Sequence, residues 1–242
     1  MVCIALDAAV MYRFTRVNTC CAPVAGAEAQ VVTDALSALE FSANTEDVGR
    51  EPTRNTGGNV CIPGNQREEL QNYTVSLTFC NVIPDLASMV TGRSPVRDWE
   101  GNNAGWRWGV GRTDEGGFAM EIWFSEVGTG PCDPQAEGRW LYMVVPCLTK
   151  ASPGDFSAAD GDAVTFPMNA TTKDGANWCR GPYNVMAQDG INTAGPLIDP
   201  LETGDHVYSV LTTIAPPEPT CEAGALVFAD LGCESPGSPG SP

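Results

Sequence analysis

The chain has 242 residues, 43% of them hydrophobic, enough for one large or two small domains around a real core. Thirteen basic against 30 acidic side chains leave a formal charge of −17, which argues against static binding to nucleic acid, where Lys and Arg must neutralise phosphates, and against adsorption to anionic surfaces. The imbalance is uneven: all 13 basic residues precede position 181, and residues 181–242 carry eight acidic groups and no basic one.

In chain order, VMYRFTRV (10–17) reads as a strand around Tyr12 and Phe14, and VVTDALSALEF (31–41) as a second. Residues 44–72 are polar and rich in turn formers, too long for a plain hairpin turn, and are expected to project as a loop. YTVSLTFC (73–80) alternates cleanly, with Tyr73, Val75, Leu77 and Phe79 directed inward. Pro84 to Val90 reads as a short helix, since Pro suits its first turn and Gly92 its exit.

WRWGVGRT (106–113) alternates again, with Trp106, Trp108 and Val110 on one face, and Asp114 to Gly117 marks a hairpin turn. FAMEIWFSEV (118–127) and RWLYMVVPCL (139–148) are the most apolar segments. AVTFPMNAT (163–171) reads as a strand in which Pro167 signals an edge or a bulge. HVYSVLTTI (206–214) and ALVFAD (225–230) complete the series. Eight to ten short strands separated by turn signals predict an all-β sandwich or barrel with one short flanking α-helix. The expected organisation is a domain over 1–214, followed by a C-terminal arm and a flexible Ser/Pro/Gly tail over 215–242.

Chemistry is sparse. The lone His206 opens an apolar strand and reads as structural. The acidic neighbours Glu46-Asp47, Glu68-Glu69 and Asp114-Glu115 read as solvated loop surface. Asp155, Asp160 and Asp162 lie near glycines, yet the calcium-loop pattern with its terminal Glu is absent. The GVG at 109–111 makes no phosphate loop.

Ten cysteines (3, 20, 21, 61, 80, 132, 147, 179, 221, 233) include no C-x-x-C pair, so neither a zinc site nor a redox motif is read. Asp7 interrupts the apolar stretch Val2–Val10 and no basic region precedes it, which argues against a signal peptide. The reading is therefore of a cytosolically folded chain whose thiols are reduced at first, buried or idle, with some free to pair later in an oxidising medium, and the sequons at Asn72 and Asn169 are incidental. No apolar run approaches the roughly 18 residues of a membrane span. The tryptophans, Trp106, Trp123, Trp140 and Trp178 above all, read as core or subunit-interface residues. No catalytic residue, cofactor or metal site is expected, and the chain is not read as an enzyme.

Several segments in order resemble the major tail tube proteins of long-tailed bacteriophages, those of actinobacterial phages especially. YRFTRVNTCCAPVAG (12–26) is similar to that family's opening strand and its TRLD-x-CG-x-P-x-G turn, with Cys21 where glycine is usual. GNVCIP and then NQREELQNYTVSLTFCNVIPDLASMVTG (65–92) resemble its long loop, strand and helix. FAMEIWF (118–124), Cys132 and GRWLYMVVP (138–146) resemble its central strands, and NWCRGPYNV (177–185) its W-x-x-GPY-x-V turn. PLIDPLETGDHVYSVLTTIAPPEPTCEAG (196–224) resembles its closing strand and proline-rich arm.

The resemblance implies a structural virion protein of the phage tail, assembled in the bacterial cytoplasm. Its subunits would form rings, hexameric in the family, stacked around a tape-measure protein and bounded by tail-terminator and distal tail proteins. Phage DNA would pass through the bore without specific binding, and an acidic lining would repel its phosphates. Inter-ring contact is expected from Glu46, Asp47, Arg50, Arg54 and Glu68 in the 44–72 loop, with the helix residues Pro84, Asp85, Leu86 and Met89 on the sandwich flank, away from the bore. A capsid decoration protein, a neck or tail-terminator protein, or a carbohydrate-binding sandwich would present the same strand pattern.

Overall fold

A computed structural model describes residues 5–65, 67–81, 83–107, 116–127, 138–155, 164–220 and 222–233. The strands are β1 (Ala5–Val17), β2 (Gly26–Thr33), β3 (Leu36–Asp47), β4 (Thr53–Arg54), β5 (Val60–Ile62), β6 (Glu68–Phe79), β7 (Val96–Arg97), β8 (Asn103–Gly105), β9 (Gly117–Val127), β10 (Trp140–Pro153), β11 (Phe166–Thr172), β12 (Met186–Ala187), β13 (Ala194–Gly195), β14 (Tyr208–Thr212) and β15 (Gly224–Leu226). One helix, α1 (Pro84–Thr91), and a 3-10 turn at Ala176–Trp178 complete the described elements.

Nine strands form one antiparallel sheet in the order β15-β2-β1-β9-β10-β11-β6-β3. The ninth, β14, lies beside the first half of β10, at Trp140 to Val144, while β11 takes the second half from Leu148 to Pro153. Both must lie opposite β9, which pairs with β10 from Trp140 to Leu148. β6 is four places from β1 in this order, about 19 Å away in a flat sheet. Yet the rings of Phe14 on β1 and Phe79 on β6 stand only 5.9 Å apart. The sheet therefore folds over on itself as a sandwich.

Phe14, Leu77, Phe79, Phe118, Met120, Ile122 and Leu148 fill the interior. α1 seals it with Leu86, Met89 and Val90, so the helix expected on the flank contributes directly to the core. Its ends follow local chemistry: Pro84 stands at the first turn, and Gly92, at φ 66°, makes the left-handed exit and donates its N–H to the Ser88 carbonyl.

The other face of β1, β9 and β10 is also covered. Val17, Ala119, Trp123, Tyr142 and Val144 meet Trp178, Val185, Leu197 and Leu201 of the segment that follows β11. Burial on both faces explains why FAMEIWF and LYMVVP are continuously apolar, whereas β6 alternates: Val75, Leu77 and Phe79 are buried and Tyr73 is half-buried.

Three expectations need correction. The apparent strand 31–41 is two strands: the chain turns at Asp34-Ala35, where the Ala35 N–H bonds Thr33 Oγ1, and β2 and β3 lie in separate parts of the sheet. The projecting loop is largely a hairpin, since β3 and β6 stay paired as far as Asp47 and Glu68. Pro167 is not on an edge, because β11 has neighbours on both sides. Its carbonyl accepts the Gly154 N–H at 2.8 Å, so its missing donor faces the end of the β10 ladder, one residue beyond the last partner pair, Pro153 and Met168.

The pairing of the thiols, left open by the sequence, is settled for four of them: Cys21 is bonded to Cys147 and Cys179 to Cys233. The partners lie 126 and 54 residues apart, beyond the reach of any spacing rule. Cys20, Cys61 and Cys80 are exposed free thiols among the described residues.

From Ala215 onward the chain is partly woven into the fold. Thr220 N–H bonds the Val32 carbonyl, β15 adds to β2, and Cys233 is stapled to Cys179. Trp108, the 109–111 GVG, Asp114, Glu115, Asp160, Asp162, Cys3, Cys132, Cys221 and the 234–242 tail lie outside the described residues. So does the 106–113 strand beyond Arg107.

Candidate assembly interface

The β3–β6 hairpin is the most exposed part of the fold. β3 closes one end of the sheet order, with β6 as its one neighbour among the described strands, so the other edge of a twelve-residue strand carries unpaired backbone groups. Beyond the sandwich the hairpin continues as an arm, ending in the small β4–β5 lobe. Asp47 Oδ1 accepts the Gly49 N–H, the backbones of Arg50 and Asn65 bond each other, and Arg54 Nη1 donates to the Gly58 carbonyl. All five contact residues expected from the sequence, Glu46, Asp47, Arg50, Arg54 and Glu68, lie exposed on this arm.

Two features mark the arm as a surface without a core of its own. Val48, Val60, Ile62 and Leu70 are exposed by 40–49%. Glu46 stands directly opposite Glu69, and Asp47 opposite Glu68. Like charges in register repel, and a two-stranded hairpin alone is marginal in water. Arg67 relieves one pair by contacting Glu69 at 3.0 Å, while Asp47 and Glu68 have no ionic partner among the described residues.

At the root of the arm lies an open cleft of about 700 Å³ lined by Thr19, Asn72, Lys150, Lys173, Asp174 and His206, among others. Its two lysines are the only lysines of the chain and its histidine the only histidine. Lys150 sits at a register shift between β10 and β11 with φ 54°, a left-handed conformation rare outside glycine. Lys173 Nζ donates to the Thr19 carbonyl at 3.3 Å. His206 Nδ1 and Thr172 Oγ1 share a hydrogen bond of 2.8 Å, which holds the ring against the sheet. Asp174 accepts the backbone N–H groups of Ala176, in its own turn, and of Gly204, 30 residues on.

The strongest electrostatic feature is internal and was not singled out from the sequence. Arg13 on β1 and Glu121 on β9 form a two-pronged pair, Nε to Oε2 at 2.5 Å and Nη2 to Oε1 at 2.7 Å. Tyr142 donates to Glu121 Oε1, Tyr183 stacks on the guanidinium, and Thr15 shares a hydrogen bond with Tyr183. Burial disfavours the charge on Arg13, but attraction to Glu121 and their hydrogen bonds more than offset this and raise its pKa. Burial, then the Glu121 charge, pushes the phenols of Tyr142 and Tyr183 above their ordinary value. A visible signal existed: Glu121 is the one charge in the otherwise apolar FAMEIWF, and VMYRFTRV offers Arg13 and Arg16 as opposite charges. Arg13, Glu121 and Tyr142 are buried and Tyr183 is half-buried.

Trp123 and Trp178 are buried in the outer-face core, Trp140 is half-buried beside it, and Trp106 is half-buried edge-on to Phe166. Of the helix residues, Leu86 and Met89 face the core, and Asp85 Oδ2 accepts the Ala223 N–H of the C-terminal arm. The gap beneath Trp106 and α1 holds only about 20 Å³, room for about one water. Among the described residues no three His, Cys, Asp or Glu side chains converge as metal ligands, and no helix is long and apolar enough to cross a membrane. Compared with protein-family models and with curated proteins, the chain matches none.

Proposed function

We propose that this protein is a structural virion subunit that polymerises as stacked rings to form the tail tube of a siphovirus bacteriophage, the conduit for DNA ejection. The observation that carries the reading is the β3–β6 hairpin: a long open strand edge that continues into an arm exposing Val48, Val60, Ile62 and Leu70. An open edge of this length is a template for a neighbouring chain. Twelve residues span about 40 Å, and that length of edge has no strand beside it among the described residues.

The ordered resemblance of five sequence regions supports the same reading, and the ring is supplied by the family likeness alone. In that role the partners are further copies of the subunit, the tape-measure protein, and the tail-terminator and distal tail proteins. The net charge of −17 suits a conduit that DNA must traverse without sticking. Size-exclusion chromatography followed by negative-stain imaging of purified protein tests the reading. Rings or tubes are expected; a persistent monomer or a compact trimer would overturn it in favour of a decoration protein or a binding module.

A further inference from the structure

We propose that the Lys150–Lys173–His206 cleft of one copy receives the carboxylate band of the arm, Glu46, Asp47, Glu68 and Glu69, from a second copy of this chain. The contact rests on the reading of the protein as a self-assembling subunit and names the two surfaces that meet.

Three observations converge. First, the band is electrostatically incomplete: its carboxylates oppose one another in register, and Arg67 reaches only one of them. Second, a chain of charge −17 gathers both of its lysines and its single histidine at one cleft. Neither lysine has a carboxylate partner among the described residues of its own copy. Third, Lys150 is carried on a strand irregularity with a left-handed backbone, strain of a kind that persists where surrounding structure enforces it and often where function uses it.

Gln71 and Asn72 of β6 line the cleft only a few residues from Glu68, so donor and receptor surfaces lie at the same end of the molecule. Made in head-to-tail succession, such contacts close a ring or run on as a filament. The exposed Leu70 adds apolar area at the same contact.

A charge-exchange experiment tests the pairing. One variant carries Lys150→Glu with Lys173→Glu, giving an acidic cleft and an acidic arm. The other carries Asp47→Lys with Glu68→Lys, giving a basic arm and a basic cleft. Each alone is expected to raise the concentration needed for assembly by about tenfold or more, and mixing them is expected to restore assembly, since each arm then meets an opposite cleft. Lys150→Gly is the folding control. It removes the charge and relieves the left-handed strain, so its melting temperature is expected to hold or rise while assembly weakens. Wild-type assembly is expected to weaken as salt rises from about 50 mM to about 500 mM. Variants that each assemble like the wild type, or folded variants whose mixture stays unassembled, overturn the contact. A wild-type chain that stays monomeric under all conditions overturns the subunit reading itself, a distinct result.

Discussion

Arg13 and Glu121 face each other in register across the β1–β9 ladder and form a two-pronged ion pair whose side chains are 9% and 1% exposed. Removing one partner strands a charge in the outer-face core. Glu121→Gln or Arg13→Met alone is expected to cost about 3–5 kcal/mol. The double change Arg13→Met with Glu121→Leu is expected to recover most of that loss, because nothing charged is then left buried. Urea midpoints of the two single variants and the double variant form the cycle. Additive losses in the double variant would show that the pair is not coupled.

The tyrosines around that pair set an alkaline limit. The phenols of Tyr142 and Tyr183 are pushed above the ordinary tyrosine value, first by burial and then by the Glu121 charge. The protonated form is thus favoured in the fold, and the stability this represents is whole below the unfolded tyrosine pKa of about 10. Above it the unfolded chain loses protons that the folded chain keeps, and stability falls until the folded phenols also ionise. Urea midpoints between about pH 8 and pH 11 are expected to be level and then to drop. In Tyr183→Phe the drop is expected to be shallower. An identical drop in that variant would assign the effect to other groups.

Much of the fold was legible because burial is one-sided in β6: alternation at Val75, Leu77 and Phe79 faithfully reports an inner face and an outer one. The same rule is silent at β9 and β10, where both faces are covered. It misleads at 31–41, where a two-residue corner at Asp34-Ala35 sends two apolar runs to separate parts of one sheet. The arm was visible as a long polar stretch but not as a hairpin, since its strand residues from Asn44 to Asp47 face water and carry no apolar period. Tertiary proximity was illegible throughout: nothing in the chain announces that Lys150, Lys173 and His206 share one cleft. The Trp178-Gly181 spacing of NWCRGPYNV does have a local cause. Gly181 turns at φ 78°, and a Cβ there would stand 2.5 Å from the Trp178 indole nitrogen.

The disulfide from Cys21 to Cys147 ties the β1–β2 turn to the middle of β10, and Cys21 itself holds a left-handed φ of 65°. Closing a loop of 126 residues restrains the unfolded chain strongly. Replacing both cysteines by alanine is expected to cost about 2–5 kcal/mol and to lower the melting temperature measurably. Reductant is expected to destabilise the wild type towards the variant and to affect the variant less. A wild type whose melting ignores reductant, with the thiols shown to be free, would count against the bond.

The lobe at the tip of the arm can be removed without touching the core. Asp47 and Glu68 are direct partners in the β3–β6 ladder, so residues 48–67 can be replaced by Asn-Gly, the two-residue turn that matches the twist of paired strands. The excised segment includes Val48, Val60 and Ile62, each at least 40% exposed, and no residue of either hydrophobic core. The shortened chain is expected to keep its melting temperature and its circular dichroism while failing to form rings or tubes. The lost lobe would be the cause, since the sandwich and its disulfides remain. Tubes of normal appearance from the shortened chain would remove the lobe from assembly and leave the open edge of β3 to carry the contact between subunits.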